Sequence, residues 1–183
     1  MAKEKKLVWI DLEMTGLNPE TDVILEIASI ITDVELNIVA TGPNIVIHYQ
    51  DEILERMNEW CVKQHGASGL TQRVKESTIP LQQAEEETLS FIKEHCKENK
   101  APLCGNSIWV DRVFMQRQMP TLEKYFHYKN VDVSSVKELV RYWYPKSSFT
   151  EFKKAENHRA LEDIQGSIDE LKHFRQHFFI PNE

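Results

Sequence analysis

The sequence predicts an α/β domain, a mixed central sheet flanked by helices. Two observations carry this prediction. The first third of the chain strings β-branched apolar runs together across short loops, and the remainder interleaves helix-period segments with two more short apolar runs. A chain of 183 residues is of ordinary one-domain size and can bury most of the apolar surface that its unfolded form exposes. One core and one site are therefore expected over residues 1–183.

The strands come first. Leu7 to Leu12 and Val23 to Ile31 are apolar runs separated by Gly16, Asn18 and Pro19, which punctuate a loop. A third run, Ile38 to Tyr49, is interrupted by Gly42, Pro43 and Asn44, so a strand meander is expected. From Asp51 the apolar spacing becomes helical, with Ile53, Leu54 and Met57 on one face, then Leu81, Ala84, Thr88, Phe91, Ile92 and Cys96 on another after Pro80. Pro102 to Gly105 is a short buried strand, followed by a helix from Asn106 or Ser107 that stops before Pro120. Asn130 to Val133 is one more strand and Ser134 to Trp143 a helix halted by Pro145. The last helix, Arg159 to Phe178, aligns Leu161, Ile164, Ile168, Leu171 and Phe174. Tyr142, Trp143 and Tyr144 can belong to the core or to an exposed face.

Composition removes several function classes. With 41% hydrophobic and 28% charged residues, the chain is neither disordered nor collagenous. No stretch approaches the roughly 18 apolar residues needed to span a bilayer, so no membrane partner is expected. The apolar stretch after the basic start is cut at Asp11, too short for a signal sequence. Three cysteines, Cys61, Cys96 and Cys104, lack CxxC spacing, which points away from a disulfide framework or zinc knuckle and toward a reducing cytoplasm. The formal net charge of −7 argues against a long basic groove for nucleic acid. It leaves room for a short nucleic acid whose charge is met by metal ions and a few donors.

Three constellations could carry chemistry. Asp11 and Glu13 in VWIDLEMTGL alternate along a strand, so both carboxylates share one face while Val8, Ile10 and Leu12 take the other. Adjacent acids at the end of an apolar strand repel and resist desolvation unless a cation joins them; the plainer reading is a strand end whose acids face water. Asp111 lies in the first turn of a helix, where an acid also simply meets the helix dipole. Asp132, after the next strand, rivals it for the same role. His158 and Asp163 flank the start of the last helix and can address one point in space, or form an ordinary polar helix start in which Glu162 and Asp169 are solvated charges. Together these acids suit a site for two divalent cations, roughly 3.5–4 Å apart, that serves in-line phosphoryl displacement. Oxygen ligands favour Mg²⁺ or Mn²⁺ over zinc, and His158 is then available as general base for the attacking water.

The segments DLEMTGL, NSIWVDRVFM and HRALEDI, at residues 11–17, 106–115 and 158–164, resemble in order and spacing the three exonuclease motifs of the DEDDh superfamily. Within it, WIDLEMTGL, HYKNVDVSSVKEL and HRALEDIQGSIDEL are most similar to the oligoribonuclease family, and the likeness covers nearly the whole chain. The resemblance implies an RNase H-like exonuclease fold and a homodimer that trims very short RNAs, especially diribonucleotides, from the 3′ end to 5′-mononucleotides. It makes Asp11, Glu13, Asp111 and Asp163 the metal-binding carboxylates and His158 the general base, and leaves Asp132 a structural role.

The same resemblance assigns Leu17 to wedge between bases, and Trp60 and His65 to stack on the terminal base, a sequence-tolerant contact. Without it, Trp60 reads as a core indole and His65 as a surface imidazole. A cap on the 5′ phosphate would comprise Ser107, Tyr128, Lys129 and Ser134, some reaching across the dimer. Lys129 stands where the family pattern has arginine, and lysine lacks the two-pronged geometry, so length discrimination is expected to weaken. The alternatives are a DEDDh exonuclease acting on DNA ends or longer RNA, and a non-catalytic nucleotide-binding module.

Overall fold

The computed structural model describes residues 5–153 and 159–180. Its centre is a five-stranded mixed sheet in the order β3-β2-β1-β4-β5. Strands β1 (Lys6–Met14), β2 (Ile24–Asp33) and β3 (Ile38–Val46) form the antiparallel meander, and β4 (Pro102–Gly105) and β5 (His127–Asp132) add in parallel on the other side of β1. β1 is therefore central, flanked by an antiparallel neighbour and a parallel one. The carboxyl ends of β1 and β4 open on the same edge, where α/β sheets bind ligands.

The helices α1 (Asp51–Leu54), α2 (Glu59–Ala67) and α3 (Leu70–Glu76) form a short-helix layer, followed by α4 (Leu81–His95), α5 (Trp109–Gln118), α6 (Pro120–Glu123), α7 (Val133–Trp143) and α8 (Ala160–Phe178). Alternation along β1 decides the two faces. Val8, Ile10 and Leu12 pack with residues of α4, α5 and α6, including Leu89, Phe114 and Leu122, whereas Trp9 packs with Ile164, Ile168 and Phe174 of α8. Asp11 and Glu13 thus rise on the α8 side, and α8 is the helix that bears Asp163. Leu25, Leu54, Leu70 and Val74 form a third, smaller cluster that fastens the short helices to β2.

Most expected elements sit within a residue or two of their sequence-based bounds, the usual uncertainty of element ends. The third run differs. Its strand runs on through Gly42-Pro43-Asn44, which mark only a slip in its pairing with β2, and ends at Val46 rather than Tyr49. The physical reason is that β3 is an edge strand, paired with β2 alone, where a proline costs no ladder bond. Tyr142, Trp143 and Tyr144 are exposed, at 72%, 67% and 44%, so they are not core. Among the described residues, no helix is long and apolar enough to cross a membrane, and all three cysteines are buried and unpaired.

Candidate active site

β1 delivers Asp11 and Glu13 to the open edge of the sheet, and the first turn of α8 delivers Asp163. Side-chain oxygens of these three residues lie within 4.8 Å of one another. Nothing local in the sequence brings Asp163 there; it arrives because Ile164 and Ile168 bury against the sheet around Trp9. Three carboxylates this close repel one another, and the electrostatics register it. Burial, then Asp163, Glu26 and Asp111, push the Glu13 carboxyl from 4.5 up to about 8, with Arg73 opposing them. A divalent cation answers this arrangement, and the donor set offered to it is all oxygen.

Asp111 is buried in the first turn of α5, and its Oδ1 accepts the backbone N–H of Leu12 at 3.0 Å. It lies beside the three-carboxylate group rather than within it. Burial is the main cause that raises its carboxyl to about 7. Gly105 makes this approach of β4 and α5 to β1 possible. A Cβ there would stand 2.9 Å from Ile108 Cδ1 and 3.1 Å from the carbonyl oxygen of Ile10. His158 lies outside the described residues.

A cleft of about 410 Å³ adjoins Glu13 and is lined by Leu12, Met14, Gly16, Leu17, Asn58, Trp60, Cys61 and His65. Leu17 projects from the β1–β2 loop, 77% exposed. The loop is held by Asp22, which accepts from Thr15 Oγ1 and from the Asn18 N–H and occupies the space a Cβ on Gly16 would need. Trp60 lies in the first turn of α2 and is 59% exposed, so it is not a core indole. The Asn58 side chain caps that helix by accepting the Cys61 N–H.

His65 is likewise not a surface imidazole. It is buried, its Nε2 is 2.8 Å from the carbonyl oxygen of Met14, and its Nδ1 is 3.8 Å from Glu13 Oε2. Buried against the chain that follows Glu13, it forms wall rather than an open stacking face. A larger surface cavity of about 770 Å³, between Val34–Leu36 and the end of α8, contains none of the expected site residues.

At the other side of β4, Ser107, Ser134 and Asp132 form one knot. Asp132 Oδ1 accepts the N–H groups of both serines, and Ser107 Oγ donates to Ser134 Oγ at 3.1 Å. Ser107 takes a left-handed φ of 48°, unusual for a serine and held here by these bonds. Asp132, the N-cap of α7, is thus not a rival of Asp111 for the carboxylate group. Tyr128 is exposed on β5 with Lys129 Nζ 5.7 Å from its ring centroid.

Three further residues at the site escaped the sequence reading: Glu26 and Arg73, an ion pair behind Glu13, and Asp22. Glu26 had a signal available, a lone acid inside the apolar run VILEIASII. Arg73 and Asp22 had none, because their partners are set by tertiary contacts.

The family described as RNase_T, exonuclease, matches residues 8–171. Among curated proteins, the oligoribonuclease of Marinobacter nauticus is 58% identical over 179 residues, covering 98% of this chain and 99% of that one. The oligoribonuclease of Pseudomonas savastanoi pv. phaseolicola is 56% identical over 181 residues, covering 99% and 100%. Among solved structures, exonuclease I of Methylocaldum szegediense superposes with a TM-score of 0.68 at 19% identity, over 95% of this chain and 41% of that one. Exonuclease I of E. coli in complex with a dT13 oligonucleotide gives 0.73 at 14% identity, over 94% and 41%. This chain spans about two fifths of those exonuclease I chains, and at such identity the likeness is one of fold, the RNase H-like exonuclease fold. With the carboxylate edge, the family match and near-full-length identity above 50%, the chain belongs to the exonuclease family, in its oligoribonuclease branch.

Proposed function

We propose that this chain hydrolyses very short RNAs, diribonucleotides above all, from the 3′ end to 5′-mononucleotides. The observation that carries the proposal is the meeting of Asp11, Glu13 and Asp163 within 4.8 Å beside a cleft edged by the exposed Leu17 and Trp60. A cleft of about 410 Å³ is within the size range of small-ligand sites.

The carboxylates of Asp11, Glu13 and Asp163, with Asp111 beside them, would hold two divalent cations, Mg²⁺ or Mn²⁺. Bound there, the cations would stabilise charge on the attacking and leaving oxygens of an in-line displacement. The chain's own groups do the rest. Leu17 wedges between the bases and Trp60 offers a face on which the terminal base stacks, with His65 as the wall that closes the cleft behind them. A ring nitrogen of His158 takes the proton of the attacking water. Ser107, Tyr128, Lys129 and Ser134 meet the 5′ phosphate and limit substrate length.

A homodimer and a cytoplasmic location complete the proposal. The exposed Leu139, Tyr142 and Trp143 on α7 support the first, since a contiguous apolar face calls for a partner. The unpaired cysteines support the second. Hydrolysis of a 5′-phosphorylated diribonucleotide, a heptaribonucleotide and a DNA dinucleotide, with Mn²⁺ or with chelator, tests the proposal. Fast Mn²⁺-dependent turnover of the diribonucleotide is expected; preference for the longer RNA or the DNA would overturn the substrate reading.

A further inference from the structure

Behind Glu13 the sheet carries a second, fully buried carboxylate. Glu26 on β2 stands directly across from Glu13 in the β1–β2 register, so the two side chains rise from the same face. Yet Glu26 is not part of the group formed by Asp11, Glu13 and Asp163. It is turned to Arg73 of α3, whose Nη1 donates to Oε1 at 2.7 Å and Nη2 to Oε2 at 3.4 Å, a two-pronged grip.

α3 holds Arg73 there firmly. The helix starts after Gly69, whose φ of 74° turns the chain, and Leu70 and Val74 on either side of Arg73 bury against Leu25. Only the Glu26 end of the pair is buried, the Arg73 side chain being 36% exposed, and a carboxylate taken out of water for one half-buried partner is a poor source of stability, because apolar groups of similar volume usually serve as well or better. The charges therefore call for another explanation, and the nearest one is the carboxylate group a single strand away.

We propose that Arg73 is a positioning residue of the cation site. Its guanidinium holds Glu26 back from the carboxylates that take the cations and offsets its charge, so that the ligand set stays Asp11, Glu13 and Asp163, with Asp111 beside them. The inference rests on the cation-binding reading above. Without Arg73, the buried Glu26 carboxylate has no counter-ion among the described residues, and a cation at Glu13 takes that place. Without the Glu26 charge, the Arg73 guanidinium faces the site unbalanced and repels cations.

The signs of these effects separate charge control from simple scaffolding. Mn²⁺ titration calorimetry on the full chain, stripped of metal and without substrate, compares the unsubstituted protein with Arg73→Met, Glu26→Gln and the double variant. Arg73→Met is expected to bind Mn²⁺ several-fold more tightly while kcat on a diribonucleotide falls, since an added carboxylate distorts the ligand set. Glu26→Gln is expected to bind Mn²⁺ several-fold more weakly, and the double variant to return close to the original affinity. Single variants that shift affinity in the same direction, or a double variant no better than the worse single one, would overturn the inference. Should Arg73→Met fail to fold, the other two variants decide: unchanged Mn²⁺ affinity in Glu26→Gln is fatal to the idea. If the unsubstituted protein takes up no Mn²⁺, the cation site itself is refuted, an outcome distinct from any of these.

Discussion

Asp111 Oδ1 accepts the backbone N–H of Leu12 at 3.0 Å, across 99 positions of sequence, and Leu12 is the residue between Asp11 and Glu13. This bond locks the first turn of α5 to the middle of the D-x-E pair, so a carboxylate from a distant segment is held against the end of β1. Asp111→Asn keeps an acceptor for that N–H, whereas Asp111→Ala leaves a buried donor unmade, at a cost of about 1–3 kcal/mol. Both variants should lose turnover, but only the alanine should show a lowered midpoint in urea unfolding. Equal stability of the two would mean the Leu12 bond holds nothing.

Asp163→Asn should separate activity from stability. Losing a ligand that stabilises transition-state charge is worth several kcal/mol, or roughly 10³-fold in kcat/KM. Glu13 is raised first by burial and then by Asp163, and the same change relieves the second cause, so the metal-free variant should melt higher, by roughly 2–4 °C for each 1 kcal/mol gained. Thermal melts in chelator, read beside initial rates in Mn²⁺, test both halves.

The raised carboxyls have a signed consequence for pH. Glu13 and Asp111 sit at about 8 and about 7, against 4.5 and 3.8 ordinarily, so the folded chain keeps protons that the unfolded chain gives up. Their contribution to stability is therefore full at the acid end and is lost as pH rises through those values. Cation binding needs the deprotonated carboxylates, so stabilisation by Mn²⁺ should grow over the same range. Melts with chelator and with Mn²⁺ at about pH 5, 7 and 9 should diverge as pH rises, and Glu13→Gln should remove most of the divergence. Parallel curves would contradict the assignment.

Trp60→Ala and Leu17→Ala should act on substrate and spare the fold, because both side chains are mostly exposed. Loss of one stacked base costs about 1–3 kcal/mol, so KM for a diribonucleotide should rise from several-fold to about 100-fold. The melting temperature should hardly change. His65→Ala should differ, losing stability as well, since His65 is buried at 1% exposure.

Lys129→Arg should raise the ratio of rates on substrates of two and five nucleotides. Arginine can present two parallel donors to a phosphate where lysine presents a point charge. An unchanged ratio would remove Lys129 from the proposed phosphate cap.

Much of this site was legible in sequence because its chemistry is written in short, periodic segments. Strand alternation alone puts Asp11 and Glu13 on one face opposite Val8, Ile10 and Leu12. The 3.6-residue spacing of Ile164, Ile168 and Phe174 likewise marks α8, and each pattern depends only on neighbours along the chain. What the tertiary structure decided lies between such segments. Strand order puts Glu26 beside Glu13, and the packing of α3 brings Arg73 to it. Contact with Met14 and Glu13 of β1 buries His65 while Trp60, on the same helix, stays at the cleft, the reverse of what each residue's type suggests. Asp111 and Asp132 are both acids near strand ends, and only the three-dimensional path separates them, turning one toward Leu12 and the other into a cap for α7. Burial and long-range electrostatics are sums over residues distant in the chain, so no local pattern contains them.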